Sequence, residues 1–470
     1  MFMFSLMNYN AFKAKKSRKT SSSPRKTVAP DTLDQYALKL QKMIQCKTVY
    51  CDEYDDTEFA KFRKLLENEF PNLHKQAELK IYGTGCLIYK ISGKNTNKNV
   101  MLMSHHDVVE AEGEWTHLPF SGEIADGALW GRGTVDTKTP FFAELQAVEE
   151  LLAEGYNFGY NVYIGSSNNE EVCGDGIPFA VEDFKKNNIK FSLVLDEGGA
   201  ITKKLMPGVT EKSAMIAVHE KGRHTFKCTA KSGAGHQGLN PTNSNTISRM
   251  SAFINEVNKS KIFDKQLYPE VEATFIKHAP YMSYPYRLLF SNLKLLKNPL
   301  TRILPKVNKQ VSAMMQTSLY FTTIHGGSRE QVQAREVVAY AFFRCVRNSI
   351  LAEEIIMFKE IAKKYNIIVE ESVVDYCKPT SFTSEYYNKL ENVLNTNFPD
   401  VIVAPFLLTA GSDARRFTDI ADNILRFAPI DLNEQQYASI HNNNENITVS
   451  NIGECVCFYK DYIKAIEDIK

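Results

Sequence analysis

No stretch of the 470 residues has the apolar length that a membrane span needs, which is about 20 consecutive apolar residues. Nor is there a surplus of one charge. The 56 Lys and Arg are matched by 55 Asp and Glu, for a formal net charge of +1, and this balance argues against nucleic acid as the main partner. The nine cysteines lack metal-knuckle spacing; the nearest pair, Cys455 and Cys457, has one residue between its members instead of two. Their odd number and scatter point to reduced thiols in a reducing, cytoplasmic setting. The apolar opening MFMFSLM is short, with no basic residue before it and no small-residue cleavage site after it, so a secretion signal is not expected. No internal repeat is visible.

What remains is the composition of a soluble globular protein, in a chain too long for one ordinary core, so two domains are the default. Residues 13–26, KAKKSRKTSSSPRK, are basic and Ser-rich. The expectation for 1–28 is a disordered tail, with contact to a membrane surface as the alternative. From Leu33 the apolar positions follow a helical period, and a second helix over 58–70 is ended by Pro71. CLIYKISG, KNTNK and NVMLMSHHD read as two strands joined by a polar turn, a β-hairpin. PFFAELQAVEELLAEG has Pro140 near a helix start and Gly155 just past its end. The apolar runs from 161 and 191 are strands, and the intervening helices imply an α/β core with parallel strands.

The texture changes near residue 215. From there to about 375 the order is β-α-β-β-α-β, the ferredoxin-like arrangement, interrupted over 278–316 by a segment rich in Tyr, Leu and Pro. The chain then returns to mixed α/β text. The reading is a discontinuous catalytic domain, 29–214 and 376–470, with residues 215–375 inserted in it.

The chemistry is concentrated in short motifs. In MLMSHHDVVE, residues i and i+2 of a strand share a face, so His105 and Asp107 project together and His106 projects away. A metal-bound histidine usually gives its second ring nitrogen to a carboxylate or carbonyl, which makes His105 the candidate ligand and Asp107 its orienting partner. Asp136 follows a glycine-punctuated turn, Glu170 and Glu171 follow one strand, Asp196 ends another, and His441 precedes a helix. Strand ends are where α/β sheets hold their sites. Each has an ordinary explanation alone: Asp136 as a helix cap, Glu170-Glu171 as an exposed acidic loop, Asp196 as a turn residue before Gly198 and Gly199, His441 as a surface histidine. Their joint occurrence in this order favours a site.

The ordered set SHHDVV, W-x3-PF, GRGTVDTK, NNEE-x-x-GDG, LDEGG, GHQGLNP and H-N-N-N-E resembles the motifs of metallopeptidase family 20, closest in look to its carboxypeptidase S branch. The likeness runs from about residue 30 to the end, with Pro140 in DTKTP and the doubled histidine as departures. It implies a zinc-peptidase α/β catalytic domain with a ferredoxin-like lid, and two zinc ions, with cobalt or manganese as substitutes. His105 and Asp196 would hold one ion, Glu171 and His441 the other, and Asp136 would bridge them. Glu170 would be the general base and Asp107 the orienting carboxylate. Imidazoles and carboxylates without thiolates suit a catalytic pair better than a structural site. His236 matches the lid histidine, often working across a dimer. Arg344 matches the arginine that grips a substrate carboxylate, its own ordinary reading being a strand-face salt bridge. Gly411 and Ser412 match a loop near that carboxylate. The implied activity is hydrolysis of dipeptides or short peptides with a free carboxylate. The alternative is an N-acyl amino acid amidohydrolase, with 278–316 either lining an acyl site or packing the lid. A catalytically inactive binder is the reading from a different class, and the filled motif positions argue against it.

Overall fold

Short apolar runs become the strands of one ten-stranded mixed sheet. The structure, a computed structural model, describes residues 2–18, 23–51, 54–203, 206–232, 245–260, 262–307, 309–330 and 332–469. At the centre of the sheet Tyr160–Ser167, Asn95–His105 and Leu193–Asp196 run parallel, and Ile424–Arg426 continues parallel beside the last of them. Strands covered on both faces favour this arrangement and read as continuous apolar runs. Parallel strands bring their carboxyl ends to one edge, so His105, Ser167 and Asp196 finish on the same side of the sheet.

The helix Lys138–Ala153 lies against this sheet, and every residue of it except Glu150 and Ala153 is buried. It packs with the carboxyl-terminal helix Val449–Ala465 in the largest core cluster. A helix enclosed on all sides carries little amphipathic signal, and its Pro start and Gly stop mark it instead.

The expected hairpin does not form. Cys86–Ile91 pairs with Glu78–Tyr82 on one side and antiparallel with Tyr160–Ser167 on the other. Tyr160–Ser167 therefore stands between the two presumed hairpin strands. The polar run KNTNK is not a turn: Lys94 N–H and Asn95 N–H donate to the carbonyls of Phe158 and Gly159, which starts the parallel pairing. The apolar stretches of both strands, Cys86–Tyr89 and Val100–Met103, are buried on both faces, so alternation does not specify their neighbours.

A separate four-stranded antiparallel sheet has the order Ser318–Gly326, Glu336–Cys345, Gly222–Lys231, Ile367–Asp375. With the helices Thr246–Lys259 and Asn348–Lys364, it has the ferredoxin-like element order. Two boundaries move. Ser213–Glu220 belongs to the large sheet, so the crossing falls near Lys221. The segment after about 267 also packs on the large sheet, where Val271, Phe275, Phe290 and Met314 share a cluster with Met215 and Phe406.

The tail expected to be disordered is ordered where it is described. Phe2–Lys16 is a helix whose Met7 and Ala11 are buried. Arg25 reaches Asp400 at 2.7 Å and Asp431 at 2.6 Å, and Lys26 reaches Asp461 at 2.6 Å. Composition shows the cations but not the carboxylates, more than 370 residues away, that pin them. Among the described residues no helix is long and apolar enough to cross a membrane.

Candidate metal centre

His105 is the last residue of its strand. Its Nδ1 lies 3.0 Å from the Asp107 carbonyl oxygen and 3.4 Å from Asp107 Oδ1, which leaves Nε2 directed at Asp136 Oδ1, 3.0 Å away. Asp107 is itself fixed, because its Oδ2 accepts the Glu171 N–H at 3.1 Å. The neighbouring His106 takes the opposite side. Its ring stacks on Phe62 at 5.1 Å, its Nδ1 is 2.8 Å from Ser166 Oγ, and burial holds its pKa well below the usual value. One histidine of the pair lines the cavity and the other packs in the core.

Asp136 stands between two imidazoles, since its Oδ2 is 3.1 Å from His441 Nε2. The same His441 nitrogen is 3.1 Å from Glu171 Oε2. Ligand atoms of His105, Asp136 and Glu171 lie within 4.8 Å of one another, and Glu171 Oε1 is buried without a hydrogen-bond partner. The Asp136 loop is held by Glu445, to which the sequence reading gave no role. Its buried carboxylate accepts the N–H groups of Val135 at 2.7 Å and Asp136 at 3.0 Å, and Arg132 pairs with it at 2.8 Å. Glu445 is the E of the H-N-N-N-E motif, the one signal that pointed to it.

Asp196 is where the structure departs from the expected ligand set. Its two oxygens accept backbone N–H groups, Oδ1 from Glu197 at 2.9 Å and Oδ2 from Ala414 at 2.8 Å. Glu197, one residue on, lines the cavity with His105, Asp136, Glu170, Glu171 and His441. The strand ends at Asp196, and the turn that follows delivers the next side chain to the site.

The cavity holds about 330 Å³ and concentrates more negative charge than a buried site tolerates alone. Burial and the Asp413 charge push Glu170 well above the usual carboxylate range. Burial and the charges of Asp136 and Asp196 do the same to Glu197. Hydrogen bonds to Asp136 and Glu171 push His441 up to about 10. Burial alone would lower His105, yet Asp107 and Asp136 raise it well above its ordinary value. Like charges crowded away from water hold protons unless a cation replaces them. The donor set, two imidazoles and several carboxylates with no thiolate, fits divalent cations such as zinc.

The sequence pattern of Peptidase family M20/M25/M40 matches residues 101–465. The chain belongs to this family. It is 29% identical to the probable carboxypeptidase S-like 2 of Dictyostelium discoideum, over 96% of this chain and 90% of that one. It is 28% identical to the N-fatty-acyl-amino acid synthase/hydrolase PM20D1.1 of Danio rerio, over 92% of this chain and 86% of that one. Its fold is similar to that of an M20 family metallo-carboxypeptidase from Sulfolobus solfataricus, with a TM-score of 0.66, 18% identity, and 92% and 99% of the two chains covered. As an M20 peptidase the chain is an amide-bond hydrolase.

The residues that the family resemblance assigns to the substrate are placed as follows by the fold. Gly411 lines the cavity, and a Cβ built on it would come within 3.4 Å of Arg344 Nη1 and 3.0 Å of Arg415 Nη1. The Arg344 guanidinium thus lies against the cavity loop. It is half-buried, and the strand-face salt bridge is not seen among the described residues. Ser412 departs from expectation. It is fully buried, its hydroxyl donates to Glu220 at 2.8 Å, and Arg426 Nε donates to that hydroxyl at 3.0 Å, so it braces the loop from behind. His236 lies outside the described residues.

Proposed function

We propose that the protein is a two-metal hydrolase of amides whose amine half is an amino acid with a free carboxylate. The observation that carries this reading is the convergence of His105, Asp136, Glu171 and His441 at 3.0–3.1 Å beside Glu170, whose proton affinity burial raises. His105 and Glu197 would hold one ion, Glu171 and His441 the other, and Asp136 both. Zinc suits these donors, with cobalt or manganese as substitutes. When bound, such cations would supply Lewis acidity that lowers the pKa of a water and polarises the scissile carbonyl. Glu170 accepts the proton of the attacking water on its carboxylate and returns it to the leaving nitrogen. Asp107 keeps His105 in one tautomer. Arg344 grips the substrate carboxylate, a task suited to a planar guanidinium. His236 keeps the lid role that the family resemblance implies.

Peptides come first on sequence grounds, but the cavity wall favours the N-acyl alternative. Beside the polar cluster, the cavity is lined by Met215, Phe406, Leu408, Ile430, Leu432 and Ile440. The cavity carboxylates Asp136, Glu170, Glu171 and Glu197 all belong to the metal centre, which leaves none there to pair with the free ammonium of an unblocked peptide. An uncharged, apolar acyl group fits that wall. The likeness to an N-fatty-acyl-amino acid synthase/hydrolase supports the same reading. Short peptides remain the second reading, because the placement of Arg344 serves either substrate. With the metal-loaded enzyme, kcat/KM should rise with acyl length, since each buried methylene contributes about 0.8 kcal/mol. Preference for unblocked dipeptides over every N-acyl amino acid would overturn the choice. Arg344→Ala should cost about ten- to hundredfold on free acids and little on the matching amides. Equal losses on both would remove the carboxylate clamp.

Metal loading should release protons. Without metal, His441 is pushed up to about 10 and His105 is raised as well, so both imidazoles hold protons at neutral pH, and ligation needs them neutral. Affinity should therefore tighten as pH rises from 7 toward 9, with protons released on binding by the two imidazoles and by the raised Glu197 carboxyl. Calorimetric titration in buffers of different ionisation enthalpy reads this directly. A buffer-independent enthalpy would contradict it.

A further inference from the structure

We propose that the surface formed by the helices Phe2–Lys16 and Leu293–Val307 docks the protein onto an anionic lipid bilayer. Two stretches of sequence supply it, and neither contains an acid. Residues 1–30 hold seven Lys and Arg and no Asp or Glu; residues 273–329 hold eight and none. In a chain whose formal net charge is +1, so one-sided a distribution is local and not a matter of overall composition.

The fold joins the two stretches into one surface. Asn292 Nδ2 donates to the Met7 carbonyl at 3.0 Å, and Asn10 Nδ2 donates to Asn292 Oδ1 at 2.8 Å. Met7 and Ala11 face the body of the protein, whereas Met3, Phe4, Tyr9 and Phe12 are each more than half exposed, as are Leu295 and Ile303 on the second helix. Single exposed apolar residues are ordinary; grouped ones mark a contact surface. Both helices carry cations as well. Lys13, Lys15 and Lys16 close the first helix, and Lys294, Arg302 and Lys306 are exposed on the second. Among the described residues none of the six has a carboxylate partner, in contrast to Lys297, which pairs with Glu272 at 3.2 Å.

Exposed aromatic and aliphatic side chains beside unpaired cations match the two layers of a lipid surface. The apolar groups enter the acyl boundary, and the ammonium and guanidinium groups meet headgroup phosphates and carboxylates. Long Lys and Arg stems span that distance. The contact is peripheral, since no described helix can cross the membrane. The chain runs from this surface to the metal cavity, which Gln310, three residues past the second helix, lines. The inference goes beyond the substrate reading and does not rest on it.

The test is sedimentation of the full chain with vesicles of phosphatidylcholine alone, or with about one-third phosphatidylserine. Binding to the anionic vesicles should be at least about tenfold tighter and should weaken as salt rises. The triple variant Lys294→Glu, Arg302→Glu, Lys306→Glu should lose about tenfold or more of that affinity. Phe4→Ser with Phe12→Ser should weaken it independently. Both variants should hydrolyse a small soluble substrate at the wild-type rate, which shows the fold intact. Equal binding to neutral and anionic vesicles, no binding to either, or binding unchanged by both variants would overturn the proposal. So would a dimer in sedimentation velocity that the Phe4/Phe12 variant dissolves, which would assign the face to a second copy of the chain.

Discussion

Glu170→Gln should lower kcat by about 10²- to 10⁴-fold, the usual cost of removing a general base, with the metal content of the wild type. Glutamine keeps the size and hydrogen-bonding reach of the side chain but cannot accept a proton. Glu170 lines the cavity beside the ligand cluster, and burial together with the Asp413 charge raises its affinity for a proton. A group so placed can take a proton from water and give it to a departing amine. Its neighbour Glu171 is bound differently, with one oxygen 3.1 Å from His441 Nε2. Glu171→Gln should therefore lose metal first and activity as a consequence. Steady-state kinetics paired with elemental analysis separates the two. Near-normal turnover in Glu170→Gln would move the base elsewhere. Metal loss there, with metal retained in Glu171→Gln, would exchange the two roles.

How much of this was legible in the sequence depends on how local each signal is. Strand alternation suggests the pairing of His105 with Asp107, and the two do meet at 3.4 Å although the strand ends at His105, while His106 stacks on Phe62 at 5.1 Å. The β-α-β-β-α-β order of the small sheet could be read because its strands alternate and its helices are periodic. The order of the large sheet could not. Cys86–Ile91 and the Val100–Met103 part of its presumed partner are buried on both faces, and nothing in either says that Tyr160–Ser167 will come between them. The ordered tail was hidden for another reason. Its anchors are ion pairs of Arg25 with Asp400 and Asp431, and a contact over that separation leaves no trace in local composition. Ser412 was placed near the substrate by its motif, but the buried Glu220 and Arg426 that turn it inward lie on other strands.

With two ions held as proposed, Glu197→Gln should reduce the metal content toward one per chain and lower kcat/KM by about 10²- to 10³-fold, on the scale of removing one electrostatic stabiliser from an active site. Asp196→Asn should keep both ions. The strand explains the difference. Val194 and Asp196 share a face, and Val194 packs in the cluster that contains Ala414, the residue whose N–H reaches Asp196 at 2.8 Å. Leu193 and Leu195 point to the opposite core. Asp196 is thus committed to tying the Asp413–Phe417 turn to the sheet, and Glu197, beyond the strand end, is free to enter the cavity. Asparagine at 196 keeps one acceptor and leaves one of the two N–H groups unsatisfied, which costs about 1–3 kcal/mol of stability, readable as a lower denaturant midpoint. The pair of variants therefore separates on two instruments: metal analysis should move for position 197 and unfolding for position 196. Loss of an ion in Asp196→Asn, with both retained in Glu197→Gln, would return the ligand role to Asp196 and require the turn at Gly198 to open when metal binds.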